Sequence, residues 1–184
     1  SSASTVATIN DDQNGNYSLF VLDTGNFIAS PPSINWYNPA PVSHTATFTG
    51  IHQTDSLNDF AFQSQGAFED GSITITPISN FRSGFTAYYQ IKYSNYGTTN
   101  ISPSVYFYPY SNVTFQSSTV TPSQISPDSV IWNLSPMTPF QTGSIIITVN
   151  VNSGLPIGTL INSSAHIEPY ATDANQGNNN SSWA

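Results

Sequence analysis

The stretch FTAYYQIKYSNYG, residues 85–97, decides the fold of this chain. Apolar and aromatic residues occupy every second position and alternate with mainly polar ones, which is the period of a β-strand with one face on a core. The inward set is Phe85, Ala87, Tyr89, Ile91 and Tyr93. Asn95-Tyr96-Gly97 then ends the strand with residue types that favour turns. We therefore expect a long, half-buried strand here, with the rest of a sandwich built on it.

The residues that follow repeat the alternation in short segments. We predict strands at 104–108, 113–117, 129–134, 143–151, 160–167 and 179–183. Trp132 alternates with Val130 and Leu134 and is expected in the core. Pro, Gly, Asn and Ser fill the connections, and no helical period extends beyond a turn or two. Short strands separated by such turns are typical of an antiparallel sandwich.

The N-terminal part of the chain is organised differently. Asn14-Gly15 is a strong hairpin signal between two β-prone runs, 5–9 and 17–21. Prolines at 31, 32, 39 and 41 predict a surface loop over residues 30–43, because proline has no N–H to give to a sheet. Further strands are expected at 44–48, 57–63 and 72–78.

The change of pattern after residue 77 predicts two modules. Residues 1–78 form the first, residues 79–84 a linker and residues 85–184 the second. The expected fold is all-β, with two Ig-like antiparallel β-sandwich modules in tandem, the first of which is incomplete.

Composition favours a location outside the cell, at the cell surface or secreted. Only 7% of the 184 residues are charged, against about 25% in an average soluble domain, so solubility rests on hydroxyl and amide groups. Arg82 and Lys92 are the only Lys or Arg side chains, and the formal net charge is -8. This excludes the basic surface that nucleic acids and anionic membranes attract. No apolar run approaches the roughly 20 residues of a membrane span, and the absence of cysteine excludes a disulfide framework.

Five ordered motifs resemble an Ig-like repeat domain of unknown function that occurs in long bacterial surface proteins. They run through residues 82–184: Tyr89 to Thr98, Trp132-Asn133-Leu134, 144–151, Ile161 to Ala165, and Asp173 with Asn179-Asn180. The variant is similar to that of Bacteroidota proteins exported by the type IX secretion system. The resemblance implies a spacer module without catalytic activity.

A second resemblance covers residues 5–63. Their pattern is similar to the back half of a CnaB-like or carboxypeptidase-regulatory-like β-sandwich, carried by Thr8, Gly15, Tyr17, Gly25, Phe27 and Asp59-Phe60-Ala61. The front half of that family is missing here. The resemblance therefore implies a unit that a β-strand from outside residues 1–184 completes, covering Leu19, Val21, Phe60 and Phe62. The alternative is that residues 1–9 fold back and close a smaller sandwich unaided.

No catalytic constellation is visible in the sequence. His44, His52 and His166 are isolated from one another, and no nucleophile motif occurs. Glu69-Asp70 are adjacent acids, which point to opposite faces of a strand, whereas a glycosidase needs convergent carboxylates. We expect no enzymatic activity.

One segment imitates the start of a calcium loop. Asn10, Asp12 and Asn14 alternate before Gly15, but Val21 stands where an EF-hand requires a bidentate Glu. The remaining candidate for Ca²⁺ is a β-loop site that uses Asp11, Asp12 and Asn14. The alternative is that these side chains bond their own backbone in turns.

The aromatic content suggests glycan binding, because exposed aromatic rings stack on the apolar faces of sugars. The candidates are Trp36, Tyr37, Tyr108 and Tyr110, which lie in or beside predicted loops. The alternative is that these rings cover core edges or domain contacts.

Two short motifs concern attached sugars. Asp55-Ser56-Leu57 and Asp128-Ser129-Val130 resemble the Bacteroidota O-glycosylation motif, which makes Ser56 and Ser129 candidate acceptors.

Together these features predict an extracellular structural or adhesive segment, a stalk or spacer, of a larger bacterial surface or secreted protein. A carbohydrate-binding accessory module and a fibre subunit that assembles by β-strand complementation are the alternatives. The expected partners are other domains of the parent protein or neighbouring copies through strand addition, and a surface glycan.

Overall fold

A computed structural model describes residues 7–9, 12 and 14–183 of the chain. As expected, the chain is all-β and its sheets are antiparallel. The described strands are β1 (Gly25–Ala29), β2 (Tyr37–Ala40), β3 (His44–Phe48), β4 (Ala61–Ser64), β5 (Gly71–Pro77), β6 (Thr86–Asn95), β7 (Ser104–Tyr108), β8 (Val113–Ser118), β9 (Gln124–Ile125), β10 (Val130–Asn133), β11 (Thr142–Val151), β12 (Ser163–Glu168) and β13 (Asn180–Trp183). A 3-10 helical turn spans Gln176–Asn178.

The described residues divide into two compact units. The first contains the residues up to 63 except Ile34–Tyr37, and the second contains Ile34–Tyr37 and residues 64–183. In the first unit, β1 pairs with β3 over five residues, from Gly25 opposite Phe48 to Ala29 opposite His44. β2 and β4 form another two-stranded sheet. None of the described residues of the first unit is buried, so these residues form no core of their own.

The turn of the predicted N-terminal hairpin forms, but the prediction of its second strand is wrong. The N–H of Asp12 donates to the carbonyl of Asn16 at 2.8 Å, and Gly15 adopts a left-handed backbone with φ 81. Residues 17–21 form no strand, and residues 5 and 6 of the expected partner lie outside the described residues. A two-stranded hairpin is marginal without a packed face, and Leu19 remains 41% exposed.

The second unit is a sandwich of two antiparallel sheets. One sheet has the order β5-β6-β11-β8 and the other the order β13-β12-β7-β10-β9. The stretch singled out in the sequence forms β6, which pairs with β11 from Ser94 opposite Thr142 to Thr86 opposite Asn150. The described part of the chain contains no helix with the length and apolar character needed to cross a lipid bilayer.

The core lies between the two sheets of the second unit and follows the predicted alternation. Its largest fully buried side chains are Trp132, Tyr89 and Phe107, and the rings of Tyr89 and Phe107 pack with centroids 5.7 Å apart. The indole N–H of Trp132 donates to the carbonyl of Val120 at 2.9 Å. Burial raises the pKa of the Tyr89 hydroxyl. Phe85 differs from expectation, since it precedes β6 and is exposed.

The strand expected at 72–78 forms, but it belongs to the second unit and not to the first module. It forms β5, which the sequence assigned to the first module, but it pairs with β6 from Gly71 opposite Asn95 to Pro77 opposite Tyr89. Its Ile73 and Ile75 side chains are buried in the core of the second unit. Residues 79–84 therefore connect two neighbouring strands of one sheet, and the compact units separate at residues 63 and 64 instead of 78. The physical reason is that burial of Ile73 and Ile75 in the second unit's core removes their apolar surface from water.

Candidate functional sites: a strand clasp and an aromatic sheet face

Hydrogen bonds connect residues 69–75, which contain most of β5, to residues 172–181, which lead into β13. We call these two segments together the clasp. Glu69 and Asp173 form a parallel β-bridge. The N–H of Ala174 donates to the carbonyl of Glu69 at 2.7 Å. The N–H of Gly71 donates to Oδ2 of Asp173 at 2.7 Å. These bonds fix the start of β5 against the segment that leads into β13.

Further bonds continue the clasp along β5. The N–H of Ile75 donates to Oγ of Ser181 at 3.1 Å, and Nδ2 of Asn178 donates to Oδ1 of Asp70 at 2.9 Å. The hydroxyl of Thr172 donates to the Glu69 carboxylate. Residue 69 thus lies beside 173 and residue 75 beside 181, which means that the two segments run in the same direction.

Two carboxylates in the clasp, those of Asp70 and Asp173, are buried. A buried charge is costly unless hydrogen bonds replace its hydration. Asp70 also accepts from the indole Nε1 of Trp36 at 2.8 Å. Asp173 accepts from the N–H of Asn175 at 2.8 Å and from Nδ2 of Asn179 at 3.0 Å. Neutral donors therefore hold both carboxylates, and no cation is among the partners described for them.

The outer face of the five-stranded sheet carries a second feature. Tyr106 and Tyr108 project from β7 on the side opposite to the buried Val105 and Phe107, as the two-residue period of a strand requires. Their rings stack with centroids 6.2 Å apart and planes at 13°. His166 of β12 lies 5.8 Å from the Tyr106 ring. Tyr170 lies 5.7 Å from the His166 ring. We call Tyr106, Tyr108, His166 and Tyr170 the aromatic face.

A groove borders the aromatic face at the edge strand β13. Tyr108 of β7 lies opposite Ser164 of β12, and Ser164 lies opposite Ser182 of β13. The small Ser164 side chain therefore separates the Tyr108 ring from the edge strand. In the next row, Tyr106 is followed by His166 and Asn180. The groove encloses about 170 Å³ and is lined by Tyr108, Ser164, His166, Asn180 and Ser182, among others.

Hydrogen bonds hold the polar groups of this face in place. The His166 ring nitrogens lie 2.9 Å from Oδ1 of Asn180 and 3.0 Å from Oε1 of Glu168. The side-chain hydrogen bond to His166, more than any other contact, lowers the pKa of the Glu168 carboxyl. Burial, followed by the nearby Tyr106 and Glu168, raises the pKa of Tyr108. The groove therefore presents neutral hydroxyls beside one negative charge.

The four predicted glycan-binding residues do not come together. Tyr108 lies on the aromatic face, whereas Tyr110 packs against the core edge. Trp36 is half-buried and stacks on Phe68 with centroids 4.6 Å apart, in addition to its bond with Asp70. Tyr37 faces Phe140 at 5.1 Å. Glycan binding by these four residues stays a prediction. Of the four, Tyr108 has the surroundings that best suit this role.

Sequence reasoning missed Tyr106, His166 and Asn180 as members of a site. Alternation with Val105 and Phe107 was a sufficient signal that Tyr106 and Tyr108 share an outward face. No local signal could place His166 beside Tyr106, since that contact depends on the register between β7 and β12.

The calcium candidate remains untested, because Asp11 lies outside the described residues. The Asp12 carboxylate accepts bonds from the N–H groups of Asn14 and Asn16, both at 2.8 Å. The side-chain bond from Asn16, the largest of several causes, lowers the Asp12 pKa. Oδ1 of Asp12 thus serves the local turn. In the described part of the chain, no group of three or more His, Asp or Glu side chains is placed to hold a metal ion.

The two O-glycosylation candidates differ in their surroundings. Ser56 is exposed in the first unit, next to the exposed Leu57. Ser129 is half-buried, and its Oγ lies 2.9 Å from Oγ of Ser126. Ser56 is therefore the more accessible acceptor.

The sequence matches no protein-family model and no curated protein. Among solved structures, the chain is similar to a CARDB domain from Pyrococcus furiosus, with a TM-score of 0.45 and 15% identity, covering 64% of this chain and 94% of that one. It is similar to BslA, a bacterial hydrophobin, with a TM-score of 0.41 and 16% identity, covering 64% and 95%. It is also similar to BcpA, the major pilin subunit of Bacillus cereus, with a TM-score of 0.37 and 13% identity, covering 94% of this chain and 56% of that one.

Proposed function

We propose that the chain is a structural and adhesive segment, a stalk or spacer, of a larger extracellular bacterial protein. The observation that carries this proposal is the clasp. It joins the first strand of the second unit to its last segment through two buried carboxylates and a parallel bridge. A segment that transmits tension needs its terminal strands to be fixed in this way.

The direction of the clasped segments determines how it responds to load. The chain enters β5 close to Asp173, whose side chain bonds Gly71. Further along β5, Ile75 bonds Ser181 near the start of β13, and the chain leaves β13 beyond that point. Tension on the two ends of the second unit therefore pulls the two parallel segments in opposite directions along their length. The clasp bonds are then loaded together in shear, whereas bonds across an opening hairpin would break one at a time.

The composition supports a location outside the cell and a role without a catalytic step. Hydroxyl and amide groups replace charged residues at the surface, with 7% of residues charged. Glu69 and Asp70 are engaged by different partners, Thr172 for the first and Trp36 with Asn178 for the second. We expect no turnover on a broad panel of ester and glycoside substrates. Turnover that disappears on mutation of Glu69 or Asp70 would contradict this.

Single-molecule force spectroscopy of the full chain tests the load-bearing role. Asp173→Ala removes the acceptor for Gly71, and Ser181→Ala removes the acceptor for Ile75. Both substitutions should lower the force at which the second unit unfolds, since forced unfolding is governed by the unfolding rate. Ser181→Ala deletes one bond only and keeps the test valid if Asp173→Ala fails to fold.

The matched control is Asp128→Ala, which removes a carboxylate from an exposed turn of the same unit. It should leave the unfolding force unchanged. An unfolding force that is equal in the parent chain, Ser181→Ala and Asp128→Ala would overturn the load-bearing role.

A second candidate, assembly by strand addition, is favoured by a separate observation. None of the first unit's described residues is buried, and the sheet that contains β1 and β3 has no further strand among the described residues. Several of its apolar side chains are largely exposed: Phe20, Leu22, Ile28, Val42, Ile51 and Leu57. We infer that a β-strand from a neighbouring copy, or from another domain of the parent protein, covers this surface, because strand edges supply backbone bonds and the apolar side chains supply burial.

Analytical ultracentrifugation over a range of concentrations tests the first of these sources. The chain should self-associate, and Ile28→Asp in β1 should weaken the association. Ile157→Asp, at a fully exposed position of the second unit, is the control and should have no effect. A chain that stays monomeric at all concentrations leaves another domain of the parent protein as the source. Covering of Leu19 and Phe60 by this chain alone in an experimental structure would exclude both.

The proposal also includes a source, an export route and an attached glycan. The resemblances to an Ig-like repeat and to a CnaB-like module suggest a Bacteroidota protein exported by the type IX system, with an O-glycan at Ser56. Intact-mass measurement of native protein tests the glycan, and Ser56→Ala should remove the added mass. Native protein of the unmodified mass would contradict it.

A further inference from the structure

We propose that the groove beside the aromatic face binds one ring of a neutral sugar. This inference is separate from the load-bearing role, since it concerns the outer face of the five-stranded sheet. Ser181 is shared by the two sites, because it lines the groove and its Oγ accepts the clasp bond from Ile75. Three features support it: an exposed tyrosine ring on one side of the groove, a small serine side chain at its base, and neutral hydrogen-bonding groups around it.

The shape of the groove favours a single ring. Neighbouring strands lie about 4.8 Å apart, so Tyr108 and Ser182, with Ser164 between them, are separated by about 10 Å. The volume of about 170 Å³ is below the roughly 300 Å³ at which pockets for drug-sized ligands begin. Tyr108 is 39% exposed, and its ring is nearly parallel to the neighbouring Tyr106 ring, with planes at 13°. This exposed ring offers one apolar surface to a flat ligand.

The polar groups suit hydroxyl-bearing ligands. Ser164 and Ser182 supply hydroxyls that both donate and accept, and Asn180 supplies an amide whose oxygen is directed to His166. The amide nitrogen of Asn180 is then oriented away from that contact. A sugar ring presents an apolar face for stacking and hydroxyls at its edge, which matches an aromatic wall bordered by Ser and Asn.

Charge excludes acidic sugars. Glu168 is the carboxylate next to the aromatic face, and its lowered pKa keeps it ionised at neutral pH. The chain has a formal net charge of -8, and neither Arg82 nor Lys92 is a groove residue. A uronic or sialic acid would be repelled at this site without a compensating cation. A neutral hexose or pentose ring is the ligand class that fits.

The experiment uses the full chain on a glycan array that contains neutral, amino and acidic oligosaccharides, followed by calorimetric titration of the best neutral binder. Binding to neutral glycans is expected. Tyr108→Ala should weaken that binding by about tenfold or more, because the stacking wall is lost. Ser182→Ala, which removes the hydroxyl and adds no bulk, should also weaken it.

Tyr88→Ala is the matched control. Tyr88 is a similarly exposed tyrosine, at 41%, but it lies on β6 in the opposite sheet. It should leave glycan affinity unchanged, and circular dichroism should show that every variant is folded. Absence of binding to all neutral glycans at millimolar concentration, binding to acidic glycans only, or equal loss in Tyr88→Ala and Tyr108→Ala would each overturn the proposal.

Discussion

The carboxylate of Asp173 accepts a hydrogen bond from the backbone N–H of Gly71 at 2.7 Å, although 102 positions separate the two residues in the chain. The same oxygen accepts from Asn179. Gly71 of the edge strand β5 lies opposite Asn95, and the buried Asp173 side chain provides the acceptor for the Gly71 N–H. This contact closes the second unit at its two ends, and it explains why an ionisable group is retained in a buried position.

Removal of the Asp173 carboxylate should destabilise the second unit strongly. Asp173→Ala leaves the N–H of Gly71 without its acceptor, and a buried unpaired donor costs about 1–3 kcal/mol. Since the bonds from Asn175 and Asn179 are lost as well, we expect a loss of about 3 kcal/mol in the free energy of unfolding, measured with urea. Asp128→Ala, at an exposed position, should stay within about 0.5 kcal/mol of the parent chain. Similar losses for the two variants would contradict the role of Asp173.

Trp132 and Trp36 should differ in their contribution to stability. Trp132 is fully buried, and Trp132→Ala should cost about 3 to 5 kcal/mol. Trp36 is half-buried but bonds the buried Asp70, so Trp36→Ala should cost about 2 kcal/mol, more than a surface loop residue would. Thermal unfolding of both variants gives the comparison. If the two variants lost the same amount of melting temperature, the deeper burial of Trp132 would have no effect on stability.

Gly97 should not tolerate a side chain. A Cβ at this position would overlap the carbonyl oxygen of Phe68 and lie 2.8 Å from the amide nitrogen of Asp70. Backbone atoms cannot move aside easily, and we expect Gly97→Ala to cost about 1–3 kcal/mol through overpacking. Gly50→Ala is the control, because nothing lies within 4 Å of its added Cβ. If Gly97→Ala melts with the parent chain, the close approach of the two segments does not exist in solution.

Stability should fall in acid through Glu168. The hydrogen bond to His166 lowers the Glu168 pKa in the folded protein, so the carboxylate stabilises the fold above the ordinary glutamate pKa of about 4.3. This contribution is lost as the pH falls through the lowered folded value. Urea midpoints at pH 7 and pH 3 should therefore differ more for the parent chain than for Glu168→Gln. An identical pH dependence of the two proteins would contradict the contribution of Glu168.

The sequence by itself determined the β-class and most of the second unit. Alternation in 85–97 marked β6 and its buried face, and the strands that became β7, β10, β11 and β12 were located within a few residues. These predictions succeeded because a strand that packs one face on a core must alternate, whatever its neighbours are. The same logic identified Trp132 as a core residue.

Only the tertiary structure decided which strands are neighbours. β5 joined the second unit because its Ile73 and Ile75 fill that core. The clasp between Gly71 and Asp173, and the contact of Tyr106 with His166, depend on register and on long-range pairing. Local composition cannot encode either, because each residue alone is compatible with a turn, a surface or a core edge, and only the packing of the two sheets selects among them.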